Sequence, residues 1–317
     1  MKSIACLLCA LLPLAGSAAN PWLPVKDVSL KVVAGSILDF STLLPPSKAV
    51  TEPLVVNSNG DFAYQGSPTV ARRFLMVSTG MDVATGSFPD HAGADEYVKQ
   101  LRLHGYNMAR LHFVDAILME GQRLDLTFNA VQLDRFYYLL AAFKRAGIYY
   151  MLDGMTSDNA GFGNIAERWI SQKDAKRRLF YDPLMQDHWK KLVLKIMGSV
   201  NPYTGTTTLA DPALAGVILV NEGGIAFVTR SGLPAAMQPP FVAFLKKKYL
   251  TTAALKTAWG LELKAGETLE AASVALAKAN DPNGKRMADT QRFFFDLETS
   301  TATWMTNHLR QAGYKGR

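Results

Sequence analysis

Residues 214–224 read LAGVILVNEGG. An apolar run from Leu214 to Val220 stops at an amide and a carboxylate, Asn221 and Glu222, followed by two glycines. A short apolar run bounded by turn residues reads as a strand buried in a sheet. Its polar end needs a different explanation. Burying an amide and a carboxylate without partners is costly, so they should meet other polar groups or a ligand. In parallel α/β architectures such groups gather at the carboxyl ends of the strands.

Outward from this run, strands and amphipathic helices alternate. FLMV (74–77) is a short apolar strand, and Tyr97, Val98 and Leu101 make one face of a helix that Gly105 ends. YNMARLHF follows as a second strand. Asn129 can cap a helix whose Leu133, Phe136, Tyr137 and Leu140 fall at i, i+3, i+4 and i+7, and Gly147 closes it. IYYMLD is the third strand. Trp189, Leu192, Val193 and Ile196 repeat the helical spacing, NPYTG breaks the chain, and LAGVILVNE is the fourth strand. This alternation implies parallel strands with helical crossovers.

The helix-to-strand join recurs as LHGYNMARLHF, RAGIYYMLDG and QAGYKGR. The third copy follows a long helix, Asp289 to Ala312, with Phe294, Leu297, Trp304 and His308 down one side. It stops at the threshold of a fifth strand, whereas a closed (β/α)₈ barrel needs eight. Residues 20–70 differ in character. VSLKVVAGS and NSNGDFAYQG suggest hairpins with Asn-Gly turn chemistry, so this segment reads as a β-rich lead-in. The expected fold is therefore α/β: a partial (β/α)₈ TIM barrel of about four strands over 71–317, truncated before strand five, behind the lead-in.

Composition narrows the function. The 317 residues are 49% hydrophobic and 19% charged, which suits a packed globular core. A basic start, an apolar stretch from Ile4 to Leu14 and small residues before Asn20 fit a secretory signal peptide over 1–19, hence a secreted or periplasmic protein. The apolar run is too short to span a membrane, and no later segment replaces it. Cys6 and Cys9, the only cysteines, both lie in that leader, so disulfides and thiol chemistry are excluded from the mature chain. The net charge is +7, but Lys173–Arg178 and Lys246–Lys248 are the only basic runs. They read as solvated faces, without the aromatic interleaving of a nucleic-acid surface. Five scattered histidines show no ligand spacing, so neither metal nor cofactor is expected. GFGNIA (161–166) matches a dinucleotide fingerprint in letters, but a loop separates it from the preceding strand.

The strand ends carry the candidate chemistry. Arg110, His112 and, just beyond, Asp115 close strand two; Asp153 closes strand three; Asn221 and Glu222 close strand four. Singly, each has an ordinary explanation: an ion pair, a core histidine, a helix cap, a loop-closing dipeptide. Their shared position raises all of them together. A glutamate at such a rim can act as a general acid, and a neighbouring amide can bind a substrate hydroxyl.

GYNMARLHF, AGIYYMLD, NPYTG with DPALAGVILVNE, and FLKKKY with its downstream AWG resemble clan A glycoside hydrolases, above all the cellulase-like family 5 enzymes and their larger bacterial relatives. AGSILDFS and NGDFAYQG look like the β-rich segment that precedes the barrel there, so the resemblance extends over about residues 30–315. It implies a retaining glycosidase acting on a β-linked oligo- or polysaccharide. Glu222 would be the acid/base, Asn221 would bind the hydroxyl beside the anomeric carbon, and Arg110 would orient the carboxylates. His112 and Asp153 would line sugar subsites, with Trp169 and Tyr181 stacking on sugar rings. Two departures stand out. Gly154 occupies the place where many members carry a histidine, and the family's nucleophilic glutamate belongs to a seventh strand that this chain lacks. Glu120, Glu167, Glu262, Glu267, Glu270 and Glu298 fall in helices or loops and offer no substitute. The chain is thus expected to be a hydrolase portion lacking its nucleophile. The alternatives are a non-catalytic carbohydrate-binding half-barrel and a non-functional gene fragment.

Overall fold

The alternation of apolar runs and amphipathic helices builds two sheets of different kind. The computed structural model describes residues 31–156, 175–229, 232–278 and 280–316. The leader, residues 20–30 of the lead-in, GFGNIA, Glu167 and Trp169 lie outside them.

In the lead-in, β1 (Leu54–Val56), β2 (Phe62–Tyr64) and β3 (Ser67–Ala71) form an antiparallel sheet in that order. Its first turn is set by Asn57, whose side chain accepts the backbone N–H groups of Asn59 (2.9 Å) and Asp61 (3.0 Å), as the Asn-Gly reading anticipates. The other expected hairpin, around VSLKVVAGS, is not a strand in its described residues. The Val32 N–H is taken by the Gln100 side chain at 2.7 Å, and Val33 O accepts the Ser36 N–H in a turn.

The second sheet is parallel, in the order β4 (Met76–Ser78), β5 (Met108–Leu111), β6 (Tyr149–Asp153), β7 (Leu214–Ile218). Between them run α1 (His91–Leu103), α2 (Val114–Leu118), α3 (Ala130–Arg145), α4 (Ala175–Arg178) and α5 (Pro183–Met197). The Asp90 side chain accepts the Gly93 N–H at 2.8 Å at the start of α1, Asn129 caps α3, and Asp182 caps α5 behind Pro183. Side chains alternate across the sheet. Ala109, Leu111, Tyr150 and Leu152 are buried in one apolar cluster with Val98 and Leu101 of α1, Phe136 and Leu140 of α3, and Leu192 and Val193 of α5. Full burial of a large apolar side chain contributes about 2 kcal/mol, so this layer dominates the stability. On the other face Met108, Tyr149 and Asp153 are buried, while Arg110 and Met151 are half-buried.

β4 and β7 are the sheet edges among the described residues, and Met76 of β4 is 46% exposed. The apolar run at 214–220 was expected to be strand to its end, but the ladder stops at Ile218. The Leu219 carbonyl turns instead to the indole N–H of Trp189, 3.0 Å away.

Beyond β7 the strand–helix alternation gives way to a helical excursion. α6 (Ile225–Val228), α7 (Gln238–Tyr249) and α8 (Thr252–Trp259) precede the long α9 (Lys285–Gln311). Phe241, Leu245, Leu255, Trp259 and Phe293 form a separate apolar cluster there. Its polar hub is buried Asp289, which accepts the Tyr249 hydroxyl (2.7 Å), the Trp259 indole N–H (2.8 Å) and the Lys248 ammonium. α9 is one helix, as expected, but its buried stripe is Phe293, Thr301, Met305 and Leu309, with Phe294, Leu297, Trp304 and His308 half-buried beside it. The basic runs are not merely solvated faces: Lys176 is buried and Arg178 Nε donates to Asp182 at 2.7 Å. None of the described helices is long and apolar enough to cross a membrane.

His188 of α5 gives this fold an acid-sensitive point. It is buried, with Nδ1 3.4 Å from Asp125, and burial pushes its pKa down to about 4. The folded value lies below the ordinary 6.5, so the unfolded chain takes up a proton first as the pH falls. Stability from this group is complete above pH 6.5 and is lost toward pH 4, to the extent of about 3 kcal/mol. His188→Gln should flatten the melting-temperature profile between those pH values. An unchanged acid limb in the variant would contradict this.

Candidate active site at the strand ends

The parallel register brings the strand-end residues to one rim. Arg110 stands opposite Met151 and Leu111 opposite Leu152, while Asp153 pairs with Ile218 of the next strand. His112 and Asn221 follow just past the ends of β5 and β7.

Asp153 is the centre. Its side chain is fully buried, yet it is met from three directions. Arg110 donates from Nε to Oδ1 at 3.0 Å and from Nη2 to Oδ2 at 2.8 Å, a two-pronged clamp. His112 Nδ1 lies 2.5 Å from Oδ2. An ionised carboxylate only accepts, so the imidazole proton belongs on Nδ1. In the neutral ring, Nε2 is then left as an acceptor. Arg110 Nη2 also donates to Asn221 Oδ1 at 2.8 Å. With its oxygen engaged, the Asn221 amide is oriented so that its NH₂ remains available as a donor. Four predicted residues, Arg110, His112, Asp153 and Asn221, therefore form one network, and each of its polar side chains keeps its neighbour in a single orientation.

Glu222 sits outside that network. It is exposed, and its carboxylate makes no hydrogen bond within the described residues. Its backbone is in the left-handed region, φ 49°. A non-glycine residue there stores strain, which functional loops tolerate when their surroundings hold them. The surroundings here are specific. The Asn221 N–H donates to Met155 O at 2.9 Å, and Glu298 of α9 accepts the Ile225 N–H at 3.3 Å. A Cβ at Gly223 would stand 2.6 Å from Val220 Cβ, so the first of the two glycines is required by close packing. Phe113, directly after His112, is also left-handed at φ 54°, placing a second strained residue at the same rim.

Gly154 has no room for a side chain. A Cβ there would lie 2.8 Å from Leu219 O and 3.1 Å from Val193 Cγ1, so β6 and the turn after β7 leave no space for a side chain. Buried Asp115 has a structural place: it accepts the N–H groups of Ala116 (3.0 Å) and Thr156 (2.9 Å), tying the loops after β5 and β6. Tyr181 is half-buried and packs against the helical cluster beyond β7.

The other described glutamates are engaged elsewhere. Glu120 accepts the Ser87 hydroxyl, Glu262 caps the start of α9, Glu267 pairs with Arg286, and Glu270 accepts the Thr252 hydroxyl. Trp189 and Glu298, which fasten the loop bearing Glu222, were not legible as site residues. Trp189 read only as part of a helical stripe. No group of three or more His, Cys, Asp or Glu side chains poised for a metal ion occurs among the described residues.

No protein-family model and no curated protein matches the chain. Solved structures do. The chain is similar to the endo-1,4-beta-mannanase from Rhizomucor miehei at 13% identity and a TM-score of 0.42, covering 67% of this chain and 58% of that one. With the endo-beta-1,4-mannanase from Thermotoga petrophila the values are 19% identity, TM-score 0.36, 58% and 40%. With the glycoside hydrolase family 5 mannosidase from Rhizomucor miehei they are 15%, 0.40, 84% and 72%. The chain thus spans 58% and 40% of the lengths of the two mannanases. Each likeness extends over part of both chains.

Proposed function

We propose that the rim formed by Arg110, His112, Asp153, Asn221 and Glu222 is the sugar-binding and acid/base half of a retaining glycosidase site for a β-linked glycan. The observation that carries this reading is the Arg110 guanidinium bridging buried Asp153 and Asn221. It fixes an amide donor and a histidine acceptor beside a free, exposed glutamate. Sugar hydroxyls are both donors and acceptors, and a rim offering each from rigid positions suits them.

Retention needs two carboxyl groups about 5–5.5 Å apart, one acting as acid and then base, the other as nucleophile. Glu222 fits the first role: it is exposed and without a competing partner. Asp153 cannot take the second, because both of its oxygens are held by Arg110 and one also by His112. The described glutamates outside the rim are committed to their own partners. In this reading the protein, exported by its leader at 1–19, binds glycan, and among the described residues no carboxylate besides Glu222 stands unpartnered at the rim. The arrangement of the described residues supports glycan binding directly, and turnover would need a second free carboxylate.

Aryl β-glycosides with a good leaving group test the distinction. The expected result is no hydrolysis by the protein above that of Glu222→Gln. Turnover that disappears in Glu222→Gln would show that a second carboxylate completes the site and would contradict the binding-only account.

A further inference from the structure

On the helical side of the parallel sheet, His91, Asp134 and Tyr203 converge from three separate elements. His91 is the first residue of α1, Asp134 lies in α3, and Tyr203 belongs to the turn after α5. His91 Nε2 is 2.8 Å from Asp134 Oδ2, the Tyr203 hydroxyl donates to Asp134 Oδ1 at 2.5 Å, and Tyr203 Oη is 3.4 Å from His91 Nε2. One imidazole nitrogen, one carboxylate and one phenol oxygen thus face a common point.

We propose that His91, Asp134 and Tyr203 bind a divalent first-row transition ion, Cu²⁺ most tightly and Zn²⁺ next. Two cis ligands about 2.1 Å from one ion stand about 3 Å apart, which is the spacing these donors already have. Imidazole with two oxygens suits copper and zinc and is a poor set for Mg²⁺ or Ca²⁺, and the order of the two ions follows the general affinity series. His91 and Asp134 are 43% and 50% exposed, so an ion can enter without any opening of the fold, and water can complete its shell. On binding, the Tyr203 O–H bond breaks as the metal–oxygen bond forms, and that proton leaves to solvent; His91 gives up the Nε2 proton that it donates to Asp134 and takes one from solvent on Nδ1, so the neutral ring binds through Nε2.

The donors are held in place before any ion arrives. The His91 ring stacks on Tyr138 at 3.8 Å and 6°, and Tyr138 is fixed in turn by its hydroxyl on Asp95 (2.7 Å) and by Arg145 over its ring. Tyr203 is set by Asn201, whose Oδ1 accepts the Tyr203 N–H at 2.9 Å while its Nδ2 donates to the Tyr137 carbonyl at 2.9 Å. Such positioning by outer neighbours is what a metal site requires of a scaffold. The ion would tie α1, α3 and the turn leading to β7 together. The spacing of residues 91, 134 and 203 along the chain hides this set from any linear motif.

Untagged protein, stripped with EDTA and titrated with CuSO₄ or ZnCl₂, tests the site. Copper should produce a visible phenolate-to-metal absorption band and nitrogen splitting in its EPR spectrum. Either ion at a hundredfold excess over its Kd should raise the melting temperature by about 5 °C. Tyr203→Phe, which preserves the ring, should remove the band; His91→Ala should remove the nitrogen splitting and weaken binding at least about tenfold. Absence of the band and of the thermal shift in the wild type would overturn the proposal. So would a band or splitting unchanged in Tyr203→Phe and His91→Ala, which would place the ion elsewhere.

Discussion

Arg110→Met should destabilise the protein by about 3–5 kcal/mol and abolish oligosaccharide binding together. The reason is Asp153, whose side chain is fully buried and takes two of its hydrogen bonds from that guanidinium. Removing the cation leaves a carboxylate in the interior with only His112 to meet it. Asn221 loses the contact that orients its amide, so the donor that a sugar would use is free to rotate. Chemical denaturation should show a lowered midpoint with an unchanged slope. Arg110→Met combined with Asp153→Asn should recover part of the loss, because the buried charge is gone. A single variant within about 0.5 kcal/mol of wild type would mean that the clamp is not structural.

Trp189→Ala is expected to cost about 4 kcal/mol through a different route. Trp189 is fully buried in the sheet–helix core and meets Trp304 of α9 edge-to-face at 5.4 Å. Its indole also holds the Leu219 carbonyl, three residues before Glu222. Packing loss and loop release can be separated. Trp189→Phe retains most of the apolar volume but deletes the N–H, and should cost only about 1–2 kcal/mol while weakening sugar binding. Equal costs for the two variants would show that the hydrogen bond to Leu219 contributes nothing distinct.

Much of this architecture is written in local signals. Asn129 and Gly147 bound α3 as their chemistry demands, Gly105 follows α1, and the apolar runs became parallel strands in the expected order. Their position at or just past the carboxyl ends of those strands was enough to expect Arg110, Asp153 and Asn221 at one rim. Other features depend on contacts between distant segments and leave no local trace. The ladder of β7 ends at Ile218 because a tryptophan thirty residues earlier in the chain takes the next carbonyl. The need for glycine at 154 is invisible until the Leu219 carbonyl is seen against it. The excursion through α6 to α8 has a core of its own, and FLKKKY and AWG gave no sign of the Asp289 hub that joins them. The Lys173–Arg178 run looked like a solvated face, yet Lys176 is buried and Arg178 is paired. Charge density in a linear sequence does not reveal which members have found partners.

The most direct test of the sugar site is calorimetric titration of the protein and of Asn221→Ala with a panel of β-linked oligosaccharides. The account predicts saturable binding of at least one glycan by the wild type and a loss of at least about tenfold in Asn221→Ala, with the melting behaviour of the variant near native. Binding that is indifferent to Asn221, or no binding to any member of the panel by the folded protein, would contradict the claim that this rim is a sugar site.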